Sequence, residues 1–189
     1  MRLVMMGPPG SGKGTQGVLV AQAQAVPHIS SGAVLRAGAS GEVLAQMAAG
    51  ELIGDDLIAG LMWTRLRDAD AARGFVLDGF PRDVEQAGAL DAFLQERGEG
   101  LDAVVLLEAP RDDLLARMLA RAEVEQRPDD NPTTIARRLD VYESETEPLV
   151  ALYDRRGLLR RVDGAGDPAQ IAARLDAALR SGGQAAAPR

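Results

Sequence analysis

The first sixteen residues, MRLVMMGPPGSGKGTQ, constrain this chain more than any other stretch. An apolar run over residues 2–6 meets a glycine-rich turn, and a helical pattern begins at Lys13. In such a strand, loop and helix, successive backbone N–H groups turn inward around an anion, and the helix adds its positive dipole end. Glycines are needed because side chains would block the approach of phosphate to the backbone. Gly7, Gly12 and Lys13 fit the spacing G-x-x-x-x-G-K-[ST]. Gly14, however, stands where a Mg²⁺-binding hydroxyl is expected, and Thr15 comes one residue late. The loop is a damaged nucleotide loop, a chance Gly/Pro-rich turn, or one built for a particular phosphate chemistry, and the rest of the chain decides which.

Further apolar runs lie at 74–77, 103–107 and, more weakly, 158–162, with a short strand around His28. Helical-length segments fall at 13–24, 31–38, 41–49, 55–69, 83–97, 111–122, 132–155 and 168–180. Strands separated by helices predict an α/β doubly wound fold, five parallel strands flanked by helices. The strand candidates carry almost no polar residues, as parallel strands covered on both faces should. Pro148 predicts a kink or restart inside the 132–155 segment. The 189 residues suit a single domain over about 1–180, and the tail 181–189, SGGQAAAPR, is expected to be disordered.

Composition removes several function classes. No cysteine is present, so neither disulfides nor a thiolate zinc site is available. No apolar run approaches the roughly 20 residues of a membrane span, and no cleavable leader is evident, so the cytoplasm is the expected compartment. A net charge of −7 argues against a nucleic-acid binder working through a broad basic face. Lys13 is the only lysine; every other cation is arginine. A composition that avoids lysine keeps it where a compact ammonium must reach phosphates.

A second motif, GFVLDGFPRDVEQAGAL, spans residues 74–90. Its strand delivers Asp78 to the C-terminal edge of the sheet, where ligands of open α/β sheets bind. There Asp78 can help hold Mg²⁺ through water, although an Asp-Gly pair also serves as an ordinary turn. Pro81 sits where a helix can begin, which predicts Arg82 and Gln86, four apart, on one helical face. A cation and an amide projecting together suit a phosphate and a base edge.

Four stretches, GPPGSGKGTQ, HISSGAVLR, DGFPRDVEQA and RPDDNPTTIARRLDVYESETEPLVALY, together resemble the adenylate kinase family of the short-lid type, over nearly the whole chain. In that family the loop reads G-x-x-x-x-G-K-G-T, so Gly14 is normal there, with Mg²⁺ held chiefly by water and two nucleotides. The resemblance implies an enzyme interconverting MgATP and AMP with two ADP, acting as a monomer. It implies that Gly10, Ser11, Gly12, Lys13, Gly14 and Thr15 wrap ATP phosphates, with Arg117 on the ATP adenine, Arg121 on its phosphates and the Gly166 backbone near its base. On the acceptor side it implies Ser31 beside AMP, Arg36 on its phosphate, and Glu51, Leu52 and Ile53 bordering its adenine. Gly79, Phe80, Pro81 and Arg82 line the same site, and Gln86 reads the adenine edge. Arg127 and Arg138 clamp the transferring group from the lid side, making Lys13, Arg82, Arg121, Arg127 and Arg138 the catalytic set. Arg137 matches no family position and reads as surface.

An AMP-binding flap over about 30–53 and a short lid over about 121–131 follow from the same resemblance. Only AEVEQ separates Arg121 from Arg127, so the lid lacks the zinc-bearing insert of longer relatives. Departures from the family pattern are Ala33 in place of an acidic residue, Ser31 in place of threonine, and Gly54 in place of a more rigid residue. His28, the one histidine, reads as structural, because an anionic phosphate acceptor needs no general base. Two rivals stay open at this level: a UMP/CMP kinase, and a non-catalytic adenine-nucleotide-binding module.

Overall fold

A computed structural model describes residues 1–38, 41, 54–125 and 131–182. Five strands, β1 (Arg2–Met6), β2 (His28–Ser30), β3 (Phe75–Asp78), β4 (Ala103–Glu108) and β5 (Leu159–Asp163), form one parallel sheet. Their order is β2-β3-β1-β4-β5. The helices are α1 (Lys13–Gln24), α2 (Ser31–Gly38), α3 (Asp55–Leu66), α4 (Val84–Gln95), α5 (Arg111–Glu125), α6 (Pro132–Val141), α7 (Pro148–Arg155) and α8 (Pro168–Gly182).

Strand periodicity divides the core into two layers. Val4, Met6, Phe75, Leu77, Val104 and Leu106 face Ile58 and Met62 of α3, Leu90 and Leu94 of α4, and Leu149 and Tyr153 of α7. Leu3, Met5, Val76, Val105 and Leu107 face the opposite way, onto Ala21 of α1 and Ile171 and Leu175 of α8. A smaller cluster, Leu114, Met118, Ile135 and Leu139, ties α5 to α6. The chain leaves β1 toward β2 on one side, while β4 lies on the other. A crevice therefore opens at the C-terminal ends of β1 and β3. Register brings Asp78 level with Met5 and Ser30 at that edge.

Several boundaries differ from the sequence expectation. Helix α3 stops at Leu66, where Arg67 and Asp68 donate to carbonyls three residues back, and a 3₁₀ turn, Ala69–Arg73, follows. The 132–155 segment is three pieces: α6, a π-type turn at Tyr142–Thr146, and α7 beginning at Pro148. Glu147 N–H donates to the Tyr142 carbonyl (2.9 Å), and this wider turn absorbs a proline that has no N–H to give. Helix α4 begins at Val84 instead of Pro81, because the Asp83 carboxylate accepts from Gln86 N–H and caps it. Arg82 thus precedes the helix. Helix α8 runs to Gly182, so Ser181 and Gly182 are helical, and residues 183–189 lie outside the described residues. The expected helix at 41–49 also falls outside them, except for Gly41.

Candidate active site

The glycine loop turns tightly because glycine alone fits its corners. Gly7, Gly10 and Gly12 all have positive φ. A Cβ on Gly7 would stand 2.6 Å from the Leu107 carbonyl oxygen, and one on Gly10 would stand 2.7 Å from that of Leu114. Gly12 caps α1 in the left-handed conformation and would meet nothing, so its freedom serves the turn alone. Ser11 N–H donates to the Pro8 carbonyl (3.1 Å), and its buried hydroxyl has no partner among the described residues. Lys13 Nζ reaches back to the Pro8 carbonyl at 3.3 Å.

Beside the loop, Asp78 ends β3 with its carboxylate directed at Gly14, where a Cβ would come within 3.3 Å of Oδ2. The residue lacking the expected hydroxyl is therefore the one against which the carboxylate packs. His28 Nε2 lies 3.7 Å from the same oxygen and rests on Gly17, which agrees with a packing role. Gly79, at φ +77, presents a carbonyl that accepts from Ser31 Oγ (2.7 Å) and Arg82 Nε (2.8 Å). The Arg82 N–H donates to Gln86 Oε1 at 2.9 Å. A hydrogen bond links these two residues in place of the shared helical face expected from their spacing.

These elements enclose a cavity of about 550 Å³. Among the residues singled out from sequence, Gly10, Gly12, Lys13, Gly14, Thr15, Ser31, Arg36, Asp78, Gly79, Arg82, Arg117, Arg121, Arg138 and Gly166 line it. Ser11, Phe80, Pro81 and Gln86 do not. Ser11 and Gln86 are buried behind the wall, and Phe80 packs against Trp63 (5.6 Å, edge-on). Pro81, joined to Phe80 by a cis peptide, borders a smaller neighbouring cavity of about 100 Å³ with Lys13, Arg82 and Arg138. Glu51, Leu52, Ile53 and Arg127 lie outside the described residues. Arg138 turns inward while adjacent Arg137 is exposed, as expected. Sequence reasoning missed Gln16, Ser30, Gly32, Met118, Pro168 and Ile171, which also line the cavity. Gln16 was the findable one, following the loop directly and donating from Nε2 to the Pro168 carbonyl (2.9 Å).

Cations crowd this space. Burial pushes the Lys13 ammonium down to about 8, Asp78 acts against that shift, and Arg138, Arg82 and Arg121 add to it. Burial and then Arg138 also lower Arg82 from its ordinary value, again opposed by Asp78. Among the described residues, the cavity lining sets one carboxylate, Asp78, against six cationic side chains. Among the described residues no three His, Cys, Asp or Glu gather as a metal cage, and no helix is long and apolar enough to cross a membrane.

Comparison with known proteins agrees with this geometry. A family model described as adenylate kinase matches residues 5–158. Proteins named adenylate kinase from Xanthomonas euvesicatoria pv. vesicatoria (strain 85-10) and Xanthomonas axonopodis pv. citri (strain 306) are each 46% identical over 185 residues, spanning 95% of this chain and 99% of theirs. Another, from Stenotrophomonas maltophilia (strain R551-3), is 46% identical over 186 residues, spanning 95% of this chain and all of its own. With a family match over most of its length and relatives 46% identical across nearly all of it, the chain is an enzyme of the adenylate kinase family.

Proposed function

We propose that the chain catalyses reversible in-line phosphoryl transfer, MgATP + AMP ⇌ 2 ADP. The observation that carries this reading is the convergence of Lys13, Arg36, Arg82, Arg121 and Arg138 on one cavity whose lining, among the described residues, includes a single carboxylate, that of Asp78. MgATP and AMP together bring a charge of about −4 in a reaction that depends on alignment and charge compensation. The acceptor is a phosphate oxygen already anionic near neutral pH, so no side chain need remove a proton.

ATP lies along the glycine loop, its phosphates on the backbone of Gly10 to Thr15, on Lys13 and on Arg121, and its base between Arg117 and the Gly166 loop. AMP lies toward α2 and α4. Arg36 and Arg82 hold its phosphate, Ser31, Gly79, Phe80 and Pro81 shape its site, and Glu51, Leu52, Ile53 and Gln86 address its adenine. Arg127 and Arg138 act from the lid side on the transferring group. Asp78 is the protein group that would hold Mg²⁺, through water, and the ion supplies neutralisation of phosphate charge; a single carboxylate beside Gly14 fits an ion coordinated mostly by water and nucleotide.

Closure of the flap (about 30–53) and the lid (about 121–131) over one domain (about 1–180) excludes water, the competing acceptor. The enzyme acts as a cytoplasmic monomer on free nucleotides. Initial rates with MgATP and each of AMP, CMP and UMP test the acceptor. The reading predicts a clear preference for AMP, and equal efficiency with CMP or UMP would overturn it in favour of a pyrimidine nucleotide kinase.

A further inference from the structure

Helix α8 does more than follow the loop at Asp163–Asp167. Arg174 Nη1 donates to the carbonyls of Asp163 (2.7 Å) and Ala165 (2.6 Å), and it lies 3.5 Å from the Asp163 carboxylate. From α5, Arg117 Nη2 donates to the Gly164 carbonyl at 2.9 Å. Guanidinium groups therefore hold three consecutive carbonyls. That of Gly166 has no hydrogen-bond partner among the described residues.

The rest of the loop is equally fixed. Gly164 N–H donates to the Glu108 carbonyl (2.7 Å) and Ala165 N–H to the Asp163 carboxylate (2.9 Å). Gln170, one turn before Arg174 on α8, exchanges hydrogen bonds with Asp167: Gln170 N–H donates to Oδ1 (2.9 Å), and Asp167 N–H donates to Gln170 Oε1 (3.2 Å). Gly166 sits at φ +102, and a Cβ there would lie 2.4 Å from Gln170 Oε1.

We infer that Arg174 is a positioning residue for the base of the phosphoryl donor. By occupying the Asp163 and Ala165 carbonyls it leaves the Gly166 carbonyl as the acceptor this loop offers, which suits a base bearing an exocyclic amine. Release of Arg174 frees two further acceptors and the loop that carries them, so bases with other donor patterns gain ground. The inference rests on the proposal that this loop receives the ATP base.

The test compares the intact enzyme with R174A and R174K, measuring KM for ATP and AMP and the ratio of kcat/KM for ATP over GTP. Loss of two charge-assisted hydrogen bonds is expected to raise KM for ATP in R174A about tenfold and to lower the ATP/GTP ratio about tenfold, with KM for AMP within about twofold. R174K, whose ammonium still reaches the carbonyls, recovers part of both. An unchanged ATP/GTP ratio in R174A overturns the inference. So does a parallel rise of both KM values with a lowered Tm, the mark of a purely structural arginine. A native enzyme that transfers no phosphoryl group refutes the proposed function instead, so the two failures are distinct.

Discussion

Lys13 is the group whose protonation the site disturbs most usefully. In the empty protein its ammonium is pushed from 10.5 to about 8, first by burial and then by the facing arginines, with Asp78 opposing. Between these values the unfolded chain holds the proton and the folded chain has released it, so the empty protein gains stability as pH rises from about 8 toward 10.5. A bound polyphosphate reverses the imbalance by restoring negative charge next to the ammonium. Donor binding should then take up about 0.5 proton at pH 8 and about 0.9 at pH 9, and affinity should fall about fivefold between them. Calorimetric titration of MgATP without AMP, in two buffers of different ionisation enthalpy at each pH, reads the uptake directly. Working above pH 8 keeps the terminal phosphate's own proton out of the balance. Zero uptake at pH 9, or the same uptake in Lys13→Met, would refute the assignment of Lys13 as a cation lowered by the empty site.

Three further outcomes are expected. Gly79→Ala places a methyl 2.7 Å from Ser31 Oγ at a left-handed φ, so it should cost about 1–3 kcal/mol in chemical denaturation and raise KM for AMP more than for ATP. Arg127→Ala should lower kcat about 100-fold or more, because the lid then lacks a cation on the transferring phosphoryl; a near-native rate in steady-state assays counts against that role. Tyr153→Phe removes a buried hydroxyl that has no partner among the described residues, so it should be neutral or stabilise by up to about 1 kcal/mol in thermal unfolding.

The centre of the sheet was legible because β1, β3 and β4 are apolar runs buried on both faces, whereas β2 (His-Ile-Ser) and β5, which carries Arg160 and Arg161, gave a weaker signal. Boundaries set by tertiary contact were not. Gly74 reads as strand, yet its φ of +133 and the Met1 carbonyl oxygen, 2.2 Å from where a Cβ would stand, make it the turn before β3. The π-type turn at Tyr142–Thr146 was visible only as Pro148, which says that a helix must yield without saying how. In the site, residues whose role lies in backbone approach or charge, such as Gly10, Lys13 and Asp78, could be read from motif and position. Gln86 could not be read fully. Its spacing from Arg82 suggested two side chains on one face, whereas the Asp83 cap starts α4 later and turns the pair into a backbone-to-side-chain bond. Arg174 gave no motif signal at all, because what it holds is main-chain carbonyl.

An enzyme whose cavity holds two adenine nucleotides and passes a phosphoryl group between them needs only ADP and Mg²⁺ as substrates. Incubating the purified protein with those two alone, and following all three nucleotides by chromatography, should show ATP and AMP appearing in equal amounts until the mixture reaches equilibrium. ADP that stays unchanged, or AMP that appears with inorganic phosphate and no ATP, would contradict such a transfer.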